Sequence, residues 1–263
     1  MEISKIIIYP IKSLGGIELQ ESEIDQFGLK YDRRWMIISS NGKALTQREN
    51  HQLSQFMVFI IDENIIISHK KDNLFQIVLP LSISTGKESQ VSIWNDICIA
   101  LEADDDINKS FSMKLGQDVK LVYLPAQNGR VVDTKYAKEG ETTSFTDGFQ
   151  ILILGEESVN LLNSKLEEKV TYQRFRPNLL FKGGTPHCED EFGNFAISKA
   201  HFKAVKPCSR CVVTTINPET SQTSKEPLKT LQTYRLINQK VMFGMNVVIK
   251  NGATIRVGDS IIL

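Results

Sequence analysis

What this chain lacks closes off several classes of function. It has no net charge, with 31 Lys and Arg against 31 Asp and Glu. It therefore offers no overall electrostatic footprint for nucleic acid or an anionic membrane, and any anion site has to be local. Four cysteines in 263 residues are too few and too unevenly placed for a secreted disulfide scaffold. No apolar run approaches the ~18 residues of a membrane span. The start, Met1-Glu2-Ile3-Ser4-Lys5 before three isoleucines, has neither the basic leader nor the apolar core of a signal peptide. The expectation is a cytoplasmic protein with no nucleic-acid or membrane partner. Internal repeats and low-complexity segments are also missing.

What is present suits an ordinary globular protein large enough to bury a real core, with 41% hydrophobic and 24% charged residues. Over the first ~125 residues, short runs with period-2 and β-branched character dominate. They are Lys5 to Tyr9, Arg34 to Ser40, Phe56 to Ile61, Asn64 to Ser68, Leu74 to Leu79, Gln90 to Trp94 and Ile97 to Leu101. Asn41-Gly42 and Asn95-Asp96 join neighbours as hairpins, because Asn, Asp and Gly tolerate positive φ. Asp104 to Leu115 reads as a helix, with acidic residues at its start and Gly116 at its end. A strand Val119 to Leu124 follows, and Pro125 marks the boundary between an N-terminal antiparallel β unit, 1–124, and a second unit, 125–263.

In the second unit, Gln150 to Leu154 predicts a strand, Glu156 to Glu168 a helix and Asn178 to Lys182 a strand. Cys211 to Ile216 reads as a strand ended by Asn217-Pro218. Pro227 opens a helix, where the missing amide hydrogen costs nothing. Met245 to Lys250 and Thr254 to Leu263 read as a closing hairpin through Asn251-Gly252.

The segment Pro207-Cys208-Ser209-Arg210-Cys211-Val212-Val213 places two thiols three residues apart with a guanidinium between them. Three readings compete. Free cysteine is often buried and inert. Cys-x-x-Cys is half of a zinc site, which His187, Cys188 or His201 would have to complete without tight spacing; as a redox dithiol, the pair precedes strand-forming residues instead of a helix N-terminus. The third reading is one thiolate, kept ionised by Arg210, binding a softer metal held mainly by its own organic ligand. His51, His69, His187 and His201 read as surface or satisfied core residues.

The surrounding motifs favour the third reading. Tyr9-Pro10-Ile11-Lys12-Ser13, Arg174-Phe175-Arg176-Pro177-Asn178, Cys208-Ser209-Arg210-Cys211, Lys225-Glu226-Pro227-Leu228, Phe243-Gly244-Met245-Asn246 and Val257-Gly258-Asp259 occur in this order. In that order the chain resembles a MOSC protein with a MOSC N-terminal β-barrel region, the family that includes the mitochondrial amidoxime-reducing component and its bacterial relatives. The resemblance covers nearly the whole chain. It implies a mainly β (α+β) fold: a MOSC-type β-barrel plus the N-terminal antiparallel β unit with a few peripheral helices, residues 1–33 being free to pack with the C-terminal barrel.

It also implies a molybdenum–molybdopterin cofactor with Cys211 as the metal's protein ligand and Cys208 as a neighbour. The family's cofactor contacts fall on Lys12, Ser13, Arg33, Asp147, Arg176, Asn178, Ser209, Arg210 and Asn246, and its catalytic group on Cys211, Arg210 and Asn178. Phe149 stands where the family pattern leads to a hydroxyl residue, and Asn246 where mammalian members are aromatic. The chemistry agrees with the transfer, since a phosphate and a polar pterin call for cations and amide-type donors. Taken one at a time, each of these cations reads as a solvated surface group, and Thr146-Asp147-Gly148 as an ordinary turn in which the carboxylate caps backbone amides.

The activity implied is reduction of N-hydroxylated small molecules, amidoximes or hydroxylamines, to amidines or amines. Four scattered cysteines and no glycine-rich nucleotide motif leave no second redox centre in the chain. A separate donor of flavodoxin, ferredoxin or b-type cytochrome kind, with its reductase, is therefore implied. The alternative is a carrier of sulfur or of the cofactor in cofactor maturation, because MOSC domains are attached to pyridoxal-phosphate sulfurases.

Overall fold

The computed structural model describes residues 1–263. It is built mainly of strands, with three α-helices. A nine-stranded sheet runs in the order Ile17–Leu19, Glu2–Ile8, Leu179–Lys182, Ile151–Gly155, Lys240–Asn251, Ala200–Ser209, Asn194–Ile197, Ile261–Ile262, with Leu236–Ile237 pairing beside Lys240–Asn251. Along this path only Ile151–Gly155 and Leu179–Lys182 are parallel. The Ile3 amide donates to the Asp259 carbonyl at 2.9 Å and the Gly258 amide to the Ile3 carbonyl at 2.8 Å, so the first strand meets the last residues and the sheet curls back on itself.

The isoleucines at the start are explained by two-sided burial. In Glu2–Ile8, Ile6 and Ile8 face a core shared with Phe181, Phe202 and Val247. Ile7 points the other way, into a cluster with Leu162, Phe175 and Phe243. Strand alternation thus serves two apolar faces, and an unbroken apolar run is the result.

Residues of the first half build two further sheets. Trp35–Ser39, Val119–Tyr123, Asp96–Glu102 and Glu88–Ile93 form one, and Phe56–Ile61, Asn64–His69 and Asp72–Pro80 the other. They enclose Ile11, Leu14, Trp35, Phe56, Phe111 and Leu121. The helix Asp105–Leu115 ends at Gly116, whose φ of 65° is left-handed, as the sequence predicts.

Three local expectations are corrected. The helix from Glu156 stops at Asn163. There the Asn163 side chain turns away to donate to the Val170 carbonyl and accept from the Val170 amide, at 2.9 and 2.8 Å, which offers the chain a competing partner. Cys211 to Ile216 is not a strand: Val212–Thr215 is a 3₁₀ turn. The Thr214 and Thr215 hydroxyls donate to the carbonyls of Cys211 and Val212 at 3.0 and 2.7 Å, and these local bonds override β propensity. The closing hairpin does not form either. Thr254–Arg256 pairs with Glu21–Asp25, and Lys240–Asn251 pairs with Ala200–Ser209. Gly252 lies so close to the Ile24 carbonyl that a Cβ would sit 2.4 Å from it, so this glycine serves a crossing of backbones.

Candidate functional site

The two halves meet along the stretch after the first strand. The Tyr9 carbonyl accepts from the Arg33 amide at 2.8 Å, the Lys12 amide donates to the Trp35 carbonyl at 2.8 Å, and the Phe145 amide donates to the Arg33 carbonyl at 3.0 Å. A cleft of about 410 Å³ opens beside this seam. Every candidate residue borders it: Lys12, Ser13, Arg33, Asp147, Arg176, Asn178, Ser209, Arg210, Cys211 and Asn246. They arrive from distant parts of the chain, Asn246 from the middle of Lys240–Asn251 and the others from strand ends and connecting turns. Ser13, Arg33 and Arg176 hold left-handed φ values of 71°, 50° and 53°, conformations that cost a non-glycine residue and persist only where surrounding contacts fix them.

Those contacts are specific. Asp32, fully buried, accepts the Tyr9 amide at 2.8 Å and Nη1 of Arg33 at 2.5 Å. The same Nη1 reaches Oδ1 of Asn178 at 3.2 Å. Asn178 is engaged on both sides, since its Nδ2 donates to the Ile7 carbonyl at 3.1 Å and its Oδ1 accepts the Leu152 amide at 3.2 Å. Its role in the folded chain is to orient Arg33 and tie two strands. The guanidinium carbons of Arg176 and Arg33 lie 4.1 and 4.7 Å from the Tyr9 ring centroid, a cation–π arrangement that stiffens both.

Lys12 is 5% exposed. Its Nζ donates to the Phe145 carbonyl at 2.8 Å and to Asp147 at 2.7 Å. Burial pushes the ammonium below the usual lysine range, against the pull of Asp147. Desolvation raises the Asp147 carboxyl, but Lys12, Arg48 and Arg33 outweigh it and hold the group well below the usual carboxylate range. The Asp147 side chain is itself about two-thirds exposed, at 66%, so solvent screens much of this coupling. Asp147 is therefore an ion-pair partner; the turn at Thr146-Asp147-Gly148 is closed instead by the Thr146 hydroxyl, which accepts the Gly148 amide at 3.4 Å.

The cleft is markedly cationic for a chain without net charge. Lys12, Arg33, Arg48, Arg176, Lys206 and Arg210 border it against the single carboxylate Asp147. Two guanidinium nitrogens are buried with no partner, Nη2 of Arg176 and Nε of Arg210. Desolvation pushes the Arg176 guanidinium down to about 10, with Tyr9 pulling the other way. Unmet donors beside a concentration of cations favour an anion.

One sequence expectation is revised here. Arg210 does not reach Cys211: its Nη1 donates to the sulfur of Cys208 at 2.9 Å and its Nη2 to the Phe175 carbonyl at 2.5 Å. Cys211 is the exposed thiol of the pair. No group of three or more His, Cys, Asp or Glu side chains is gathered as a metal cage, so the zinc reading has no completing ligands. His187 differs from a satisfied core residue, because both ring nitrogens are buried without partners. Asn246 donates from Nδ2 to the Lys206 carbonyl at 3.1 Å.

Sequence reasoning passes over Arg48, Trp94 and Arg130. Arg48 stacks on the exposed Trp94 ring at 4.3 Å at the cleft's edge. Trp94 is legible as the residue before the Asn95-Asp96 turn, but nothing local says which way it points. Arg130 braces the 144–147 loop through the Ser144 and Thr146 carbonyls at 3.1 and 2.7 Å, and it sits in a polar stretch with no periodicity to reveal it.

Comparison with known proteins agrees in register along the chain. Residues 1–118 match the MOSC N-terminal beta barrel domain and residues 140–262 the MOSC domain. The chain is 31% identical to mitochondrial amidoxime-reducing component 1 of Homo sapiens, with 99% of this chain and 82% of that protein aligned. It is 30% identical, with the same coverage, to its Mus musculus counterpart. It is also 29% identical to molybdenum cofactor sulfurase of Oryza sativa subsp. japonica over 93% of this chain, which spans 32% of that longer protein. No helix is long and apolar enough to cross a membrane.

Proposed function

Since this chain belongs to the MOSC family, in which molybdenum-cofactor proteins recur, we propose that it is a molybdenum cofactor-dependent reductase of N-hydroxylated compounds, amidoximes or hydroxylamines. The observation that carries this reading is the cleft itself: six cations against one carboxylate, two unpartnered guanidinium nitrogens and an exposed thiol on one wall. That donor set fits molybdopterin, whose phosphate and polar pterin need cations and amide-type donors and whose metal takes a soft thiolate. The group supplies, when bound, two-electron chemistry and a destination for the oxygen leaving nitrogen.

The chain's own residues supply the rest. Lys12, Arg33 and Arg176 hold the phosphate, with Ser13 and Ser209 as hydroxyl donors. Cys211 is the metal's protein ligand. Asp32 and Asn178 fix the Arg33 fork, so its donors are in place before anything binds, and preorganised donors lose little on binding. Arg210, anchored by Cys208 and Phe175, keeps its positive charge in the pocket wall for charge that develops on the departing oxygen. Asn246 closes the floor, and Asp147 keeps Lys12 charged and directed. Electrons come from a separate donor protein of flavodoxin, ferredoxin or b-type cytochrome kind.

The similarity to a molybdenum cofactor sulfurase supports a second reading, a carrier of sulfur or cofactor. Purification from a molybdenum-replete host, metal analysis and an anaerobic assay with a dye reductant and benzamidoxime separate the two. Near-stoichiometric molybdenum with benzamidine formed is the expected result. Molybdenum without N-reduction favours the carrier, and stoichiometric zinc without molybdenum ends the main reading.

A further inference from the structure

A second cavity, of about 240 Å³, lies behind the cleft and shares Gln47, Arg176 and Val213 with it. We propose that it binds a small amphiphilic carboxylate, an aryl or medium-chain alkyl acid, with Arg174 as its anion anchor. Nothing in the cofactor chemistry of the main cleft calls for such a site, and the inference stands apart from that reading.

About half of the residues bordering the cavity are apolar, Met57 the more accessible and Ile7, Leu14, Phe56, Val58 and Ile216 buried behind it. Its volume exceeds the ~150 Å³ that admits a benzene ring and approaches the ~300 Å³ lower end of ordinary ligand pockets. An apolar body of one ring or a short chain matches it.

The charges around it do not cancel. Glu18, Lys70, Arg174, Arg176 and Glu219 border the space. Glu18 is taken by Lys5 at 2.5 Å and by the Tyr172 hydroxyl, and Lys70 by Glu219 at 2.9 Å. Two guanidiniums are left without a carboxylate contact. Arg176 at least donates from Nη1 to the Leu14 carbonyl at 2.8 Å. The Arg174 side chain makes no hydrogen bond or ion pair, although it is half-buried and its Nη1 is shut away from water. Burial pushes this guanidinium down, and Glu168 offsets that only in part. A guanidinium without a carboxylate at the edge of this cavity is a ready partner for one, because Arg presents a fork matched to two oxygens. The backbone fixes the fork's origin, since the Arg174 amide donates to the Thr171 carbonyl at 3.2 Å within the turn Tyr172–Phe175.

Isothermal titration of the purified chain with octanoate, octanol and octylamine tests this. Octanoate is expected to saturate one site, octanol to bind at least tenfold more weakly, and octylamine not to bind. Arg174→Gln, which removes no hydrogen bond from the fold, is expected to weaken octanoate at least tenfold with an unchanged melting midpoint. Met57→Trp, which fills the chamber, is expected to abolish binding and so separates this site from the cationic cleft. Absent saturation by octanoate, equal affinity for octanol, undiminished binding by Arg174→Gln or binding that survives Met57→Trp would each overturn the proposal.

Discussion

Arg210 donates to the sulfur of Cys208 at 2.9 Å and leaves Cys211 exposed at the cleft. The two thiols of one short motif therefore have different work: one anchors a guanidinium, the other is open to a ligand. A charge-assisted contact to sulfur is a positioning interaction, worth on the order of 1–3 kcal/mol when one partner is removed. Cys208→Ser keeps a hydroxyl acceptor in nearly the same place, so it is expected to retain more than half of the wild-type molybdenum. Cys211→Ser is expected to retain less than a tenth. Metal content per chain, measured after gel filtration, checks both. A Cys211→Ser protein that keeps its metal would exclude this thiol as the ligand.

Asp32 carries a second prediction. It is fully buried, accepts the Tyr9 amide and pairs with Arg33 at 2.5 Å. Breaking a buried pair from one side leaves a charge without compensation, at a cost of about 3–5 kcal/mol. Asp32→Asn retains an acceptor for the Tyr9 amide, so the loss is expected at the lower end, about 3 kcal/mol. Asp32→Leu is expected to lose more. Urea unfolding at pH 7 measures both; a change under 1 kcal/mol for Asp32→Leu would show that Arg33 finds another partner.

The strands of the first half are legible because β-branched runs and Asn-Gly or Asn-Asp turns agree with one another, and agreement between levels is what makes a segment readable. Phe56–Ile61 is observed with the bounds that periodicity predicts. Where the reading fails, a nonlocal or side-chain partner wins. Threonine hydroxyls bend Val212–Thr215 into a turn, and Gly252 serves a backbone crossing against Ile24, with no hairpin. The cleft is a harder case. Lys12, Arg176 and Arg210 each look like surface cations in isolation, and only their order in family motifs marks them. Arg48 and Arg130 belong to none of the motifs quoted, and their place becomes visible only when strands far apart in sequence are brought together.

Asn178 separates structure from chemistry. Its amide is spent on the Ile7 carbonyl, the Leu152 amide and Arg33, so truncation leaves three groups short of partners. Asn178→Ala is expected to lose about 2–4 kcal/mol of stability, and cofactor retention is expected to fall because Arg33 loses a fixed orientation. Asn178→Asp restores an acceptor for Arg33 and Leu152 but loses the donor to Ile7. Partial rescue of metal content by Asp over Ala, compared at equal folded fraction, is the expected pattern. Equal metal content in the two variants would show that the acceptor Asn178 offers Arg33 is not what retains the cofactor.

His187 links burial to pH. Its ring lies 5.8 Å from that of Tyr234 and 5.7 Å from that of Phe243, and neither nitrogen has a partner. Burial, with Arg235 nearby, pushes the imidazole down to about 4, against the opposite pull of Asp190. The unfolded chain takes up this proton near pH 6.5. Between 6.5 and 4 the unfolded state therefore binds more protons than the folded state, and stability falls as pH drops through that window, levelling only when the folded ring itself protonates. The full shift corresponds to roughly 3 kcal/mol, and partial exposure to solvent trims it to about 1–2 kcal/mol. His187→Phe fits among the same rings and cannot titrate. The loss of unfolding free energy between pH 7 and pH 4.5 is expected to be smaller by about 1–2 kcal/mol in this variant than in the parent, with the two curves running parallel above pH 7. Parallel curves across the whole window would mean that the ring finds a proton acceptor on acidification, for which the unpartnered Oδ1 of Asp190 is a candidate.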